Sequence, residues 1–171
     1  MTSRGGHLES LADGLHVYRC VHAPLNVLGG SRVWPSPDDF GLSQTDKEGR
    51  PPHLSVWESC LADDFDRLCE LVPTLTGKVR VFLRTESVRN VVHEGFCLDV
   101  VWTHWECLTE PPSPSPAPHS CLLGHAGIVG PLSSSDPAVE SRGRSDRKAI
   151  GKALRTKLSK LATLSIDHST D

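Results

Sequence analysis

No apolar run in this sequence is long enough to span a bilayer. The stretch Cys97-Leu98-Asp99-Val100-Val101-Trp102 falls far short of the roughly 18–20 residues that a membrane helix needs. The opening segment, Met1 to Glu9, lacks the apolar core of a secretory signal, so a soluble, cytoplasmic protein is expected. None of the six cysteines (Cys20, Cys60, Cys69, Cys97, Cys107, Cys121) forms a C-x-x-C pair. A zinc ribbon, a zinc knuckle and a thioredoxin-type redox motif therefore lose support. In a reducing compartment the expectation is free thiols that pack as small hydrophobes. Gly29-Gly30 lacks the lysine and spacing of a phosphate-binding loop, and there is neither an H-E-x-x-H helix nor a G-x-S-x-G elbow. Neither a metal nor a cofactor is called for on these grounds.

What is present is the composition of one folded domain. Hydrophobic residues make up 37% and charged residues 23% of 171, which excludes both a disordered tail and a membrane protein. A flexible leader is expected over residues 1–14, a single domain over 15–162 and a tail over 163–171. Two loops interrupt the domain: a proline-rich spacer at 111–118, of polyproline-II type, and a polar flexible loop at 133–145. Charge is unevenly spread. From Arg142 to Lys160 eight cations face Asp146 alone, a net of +7 that leaves −10 for the rest of a chain at −3.

Alternation and helical spacing place the elements. Residues 15–21, 53–57, 78–84, 96–106 and part of 119–129 read as strands. Leu61, Phe65, Leu68 and Leu71 share one helical face, with Ser59 as cap and Asp63 and Asp64 in the first turn. Residues 85–90 suggest a helical turn capped by Thr85. Residues 24–53 carry Gly and Pro throughout and read as an irregular segment of functional type. The chain closes on a helix in which Ile150, Leu154, Leu158 and Leu161 form the apolar stripe. The fold class is α+β: a mixed or antiparallel sheet of about five strands, a central helix and a basic, amphipathic C-terminal helix.

Three segments carry candidate chemistry. In Pro118 to Gly130, His119 and His125 fall on one side of an extended strand, and Gly124, Gly127 and Gly130 admit a close approach to the backbone. His125 is either a proton-transfer histidine or a satisfied core residue. His53-Leu54-Ser55 matches half of the H-x-S/T pair of two-histidine phosphoesterases, but His119-Ser120-Cys121 puts Cys where the second hydroxyl is needed. The last helix presents Lys148, Lys152 and Arg155 to phosphates of a nucleic-acid backbone or to an acidic partner protein; the alternative is a solvated charged face. No aromatic residue interleaves with these cations, so base stacking is not expected.

Two resemblances follow from particular residues. Tyr18-Arg19, Leu54-Ser55-Val56, His125-Ala126 with Ile128 and Gly130, and Lys148-Ala149-Ile150 with Lys152-Ala153-Leu154 resemble a group of small uncharacterised bacterial proteins. That likeness brings no assigned activity; the leading expectation, from the basic helix and the strand-borne histidines, is a small cytosolic accessory or interaction protein of bacterial type. Val17-Tyr18-Arg19, Gly29 to Trp34, and Val56-Trp57-Glu58-Ser59 leading to Cys69-Glu70-Leu71 are similar in layout to the RES family of ADP-ribosyltransferase-like toxins. This second likeness implies NAD as cofactor or substrate, with Arg19 on its phosphates and Glu70 beside the ribosyl cation. Ser31 interrupts that family's G-G-R-W block, and Trp57 stands where its tyrosine is expected. Arg19, Ser55, Glu70 and His125 are thus the candidate catalytic residues. His119, Lys148, Lys152 and Arg155 are the candidate binding residues.

Overall fold

A computed structural model describes residues 9–23, 34–48, 51–103 and 122–166; the proline-rich spacer and His119 lie outside them. Among the described residues there are seven strands: β1 (His16–Val21), β2 (Leu54–Glu58), β3 (Val79–Arg84), β4 (Val92–His93), β5 (Phe96–Cys97), β6 (Asp99–Trp102) and β7 (His125–Val129). Five of them build one antiparallel sheet in the order β3-β1-β2-β7-β6, and β4 and β5 pair in a small hairpin. The helices are α1 (Gln44–Glu48), α2 (Phe65–Leu71), α3 (Thr85–Arg89) and α4 (Arg144–Leu161).

The two-residue side-chain period sorts the strands onto two faces. Val17, Val21, Leu54, Val56, Val81, Leu83, Ala126 and Ile128 face α4 and join Ile150, Leu154 and Leu158 in the main core. Tyr18, Cys20, Trp57 and Phe82 face the other way and pack with Leu68 of α2. Ile150, Leu154 and Leu158 are fully buried, each worth roughly 1.5–3 kcal/mol of transfer free energy. Leu161, the fourth residue of the expected stripe, is 39% exposed. The domain is therefore α+β, with helices on both faces of an antiparallel sheet.

Several local expectations are corrected. The cap of α2 is Asp64, whose carboxylate accepts from Arg67 N–H at 3.0 Å, while Ser59 lies in the preceding turn. That turn is organised by buried Glu58, which accepts from the N–H groups of Cys60 and Leu61. Thr85 is the first residue of α3, and its hydroxyl donates to Ala12 O at 2.8 Å. The long strand expected over 96–106 breaks at Leu98 into β5 and β6. Residues 133–145 hold a short 3-10 turn, Pro137–Val139, anchored by the fully buried Val139.

Residues 9–14 of the expected leader pack on the domain. Leu11 N–H donates to Val100 O, Trp102 N–H donates to Glu9 O, and Leu11 is buried. Arg89 gathers this segment by donating to Asp99, Asp13 and the carbonyl of Leu11. Burial pushes the Asp99 carboxyl upward, but donors from Ser10, Arg89 and its neighbouring Val100 N–H outweigh it and hold the group below the usual carboxylate range. A depressed folded-state value stabilises the fold above the ordinary Asp range, and that contribution disappears as the pH falls through it. The expected outcome is a fall in the urea midpoint between about pH 6 and about pH 3 that is smaller in Asp99→Asn than in the parent. Equal falls in the two proteins would remove Asp99 as the cause.

Candidate functional site

The sheet forks at its centre. β1 pairs with β3 over six residues, yet with β2 only at Val17–Glu58 and Tyr18–Trp57. Beyond Tyr18 the two strands part, and Arg19 fills the gap. Its Nη1 donates to Ser55 O at 2.9 Å, replacing a ladder hydrogen bond, and its Nε donates to Asp39 O at 3.3 Å. Arg19 thereby ties segment 34–48 to both strands. Among the described residues its Nη2 makes no hydrogen bond, and the guanidinium lines a cleft of about 380 Å³ in the fork.

The wall opposite Arg19 comes from α1. Asp46 is buried, accepts from Ser55 Oγ at 2.6 Å and from Ser43 N–H at 3.0 Å, and donates its own N–H to Ser43 Oγ. These bonds close the first turn of α1 and seal it onto the start of β2, where His53 N–H also reaches Asp46 O. Thr45, Thr74 and Lys78 complete the rim, and Trp57 and Cys20 form the floor. Burial pulls the Arg19 guanidinium below its ordinary value, with the Asp46 carboxylate acting in the opposite direction; the group stays charged at neutral pH. Burial also pushes the Cys20 thiol up to about 11, so it is neither a thiolate nor a nucleophile at neutral pH.

Of the residues marked from sequence, Arg19 and Ser55 meet in this cleft and two others do not. Glu70 projects from the exposed side of α2 and pairs with Arg67 at 2.7 Å, both side chains about two-thirds in solvent. It stands apart from Arg19 because its helical position faces away from the sheet. His125 is fully buried on β7, with Nδ1 against Thr103 Oγ1 and its ring edge-on to Trp57 at 4.7 Å between centroids. It stands behind the indole that floors the cleft. The close approach allowed by Gly127 is made by the protein itself, since a Cβ there would meet the His53 ring at 2.6–2.7 Å. Asp46 and Lys78 went unmarked. For Asp46 a signal existed in Ser43-Gln44-Thr45-Asp46, a helix-capping pattern inside the segment read as irregular.

The cations of α4 lie on a second concave surface. Lys148, Lys152 and Arg155 line a groove of about 440 Å³ together with Lys47 of α1. Segment 38–47 separates the two sites, turning Ser43, Thr45 and Asp46 to the fork and Asp38, Leu42 and Lys47 to the groove. Among the described residues no group of three His, Cys, Asp or Glu side chains is gathered as a metal centre requires. In the same residues no helix is long and apolar enough to cross a membrane. Comparison with known proteins finds no matching family model, no matching curated protein and no matching solved structure.

The state of Cys20 is open to direct measurement. Alkylation at neutral pH is expected to modify the exposed Cys60 and Cys97 and to leave Cys20 unmodified, as read by peptide mass spectrometry. Modification of Cys20 at the rate of Cys60 would contradict the raised thiol.

Proposed function

We propose that this protein binds a phosphorylated small molecule of the nucleotide class in the fork between β1 and β2. The observation that carries the proposal is the state of Arg19. Nε and Nη1 of the guanidinium are spent on two backbone carbonyls, which fixes its plane, and Nη2 is left to the cleft beside Lys78. A cation held this way loses little conformational freedom when it meets an anion. Charge-assisted hydrogen bonds to phosphate oxygens are the strong kind, and the surrounding Ser43, Thr45 and Thr74 hydroxyls suit ribose or phosphate oxygens. The cleft volume lies at the small end of the range for ligand sites, roughly 300–1,000 Å³.

NAD is the first ligand to test, because the likeness to ADP-ribosyltransferase-like toxins assigns Arg19 to its phosphates. In the enzymatic form of this reading the protein transfers ADP-ribose or hydrolyses NAD. Breaking the bond to nicotinamide develops positive charge on the ribose, which a nearby carboxylate stabilises. Glu70 is not placed for that role; Asp46 is the carboxylate lining the cleft. Its two oxygens already accept from Ser55 and Ser43, which favours the binding reading over the catalytic one.

Titration of NAD and of AMP into the purified chain, followed by calorimetry, tests the proposal. Removing a hydrogen bond to a charged group costs about 1.5–3 kcal/mol, so Lys78→Ala is expected to weaken binding by about ten- to a hundredfold. Arg19→Lys should do the same by losing the planar fork; an unchanged thermal midpoint in Lys78→Ala guards against a folding defect. No binding of either nucleotide, or binding indifferent to both substitutions, overturns the proposal. NAD loss measured over time, abolished in Asp46→Asn, would establish the enzymatic form, and binding without turnover would leave the protein a nucleotide binder.

A further inference from the structure

The second groove is built from parts that stability does not account for. Lys148, Lys152 and Arg155 follow one another on α4 at helical spacings of four and three, where like charges repel by roughly 0.2–0.5 kcal/mol per pair. Lys47 adds a fourth cation from a different element. The ion pairs among the described residues are made by Arg67, Arg84, Arg89 and Arg142, so none of the four groove cations has a carboxylate partner. Asp38 is the single carboxylate among the residues that line the groove. Ordinary surfaces intersperse both signs; here one sign converges on a concavity.

Two further features show that the convergence is structured. Arg155 is held in place, its Nη1 donating to Leu132 O at 2.6 Å, and its Nε is buried without a hydrogen-bond partner among the described residues. Gly151, inside α4, lets the helix come down onto the same carbonyl: a Cβ there would stand 2.9 Å from Leu132 O. A glycine in a helix interior costs about 1 kcal/mol relative to alanine. That cost goes with a close fit of α4 against Leu132, which lines the groove together with Ser133 and Ser134.

We infer that this groove is a site for a compact oligophosphate anion, separate from the fork cleft. Lysine ammonium groups are mobile point charges that serve phosphate oxygens without demanding a planar partner. An oligophosphate concentrates several negative charges within a volume that a 440 Å³ groove encloses. A nucleic-acid strand or an acidic protein would rest on the rim, where no aromatic side chain is available to hold a base. The −10 carried outside residues 142–160 also opposes extended polyanions. The docking helix expected from sequence thus becomes one wall of a small-anion site, and Lys47, far away in sequence, becomes part of it.

The test is calorimetric titration of inorganic tripolyphosphate into the full chain, alongside a single-stranded oligothymidylate and an acidic peptide. One saturable tripolyphosphate site is expected, weaker at about 200 mM than at about 50 mM salt. Lys47→Gln alone, and Lys148→Gln with Lys152→Gln, are each expected to weaken it about tenfold or more, with the thermal midpoint unchanged. Lys47→Gln is the decisive variant, because a merely basic helix face would not feel it. The inference is overturned by no tripolyphosphate binding, by binding indifferent to Lys47→Gln, or by oligothymidylate or peptide binding in its place. Loss of tripolyphosphate binding in Lys78→Ala with retention in Lys47→Gln would move the anion to the fork cleft and overturn it equally. Failure here leaves the nucleotide reading of the fork untouched, since that rests on Arg19 and Lys78.

Discussion

A single guanidinium holds the centre of this fold together. Arg19 projects from an otherwise apolar face of β1, between Val17 and Val21, and replaces the missing β1–β2 ladder with a side-chain bond to Ser55 O. A buried cation is tolerated only when its donors are satisfied and its charge is balanced. Asp39 O and Ser55 O meet the first condition for Nε and Nη1, leaving Nη2 to the open cleft, and the nearby carboxylate of Asp46 supplies the second. The consequence is geometric. Segment 34–48, with α1 and its 3-10 turn, is drawn against the sheet, and this one segment then forms a wall of both concave sites.

That shared wall explains why two sites of similar size coexist in a small domain. Adjacent residues of α1 serve opposite sides: Asp46 closes the fork from within, and Lys47 faces the groove bounded by α4. The cations are also used differently. Arg19 is shielded and pre-oriented by backbone carbonyls, whereas Lys148 and Lys152 stand exposed on the helix and make no ion pair among the described residues. The first arrangement favours recognition of a shaped ligand through fixed hydrogen bonds. The second favours attraction of charge, and depends more strongly on salt.

Much of the scaffold was legible because alternation and helical spacing report burial directly. β1, β2 and β3 fall where Tyr18, Val56 and Phe82 sit in alternating runs, and α4 follows from Ile150, Leu154 and Leu158. Less was legible where two local signals compete. Ser59 and Asp64 are both good caps, and Glu58 decides between them by claiming the N–H groups of the intervening turn. The leader read as frayed because polar and glycine residues surround Leu11, yet the open edge of β6 gives its backbone partners. Of the candidate site, Arg19 and Ser55 were found and Asp46 was passed over, since a punctuated loop conceals an α-helix of five residues.

The sequence by itself determined the class of fold, the apolar stripe of the last helix and the charge imbalance between that helix and the remainder. These depend on period, composition and sign, which are properties of residues in order. Tertiary structure alone decided which charges meet. The likeness to ADP-ribosyltransferase-like toxins put Glu70 and Arg19 in one site, but helical phase sends Glu70 to solvent beside Arg67. Lys47 and Lys152 looked unrelated, and the packing of segment 34–48 against α4 brings them to one groove. A site is a matter of distances between remote residues, and those are set only when the two strands part and Arg19 ties the segment across the gap.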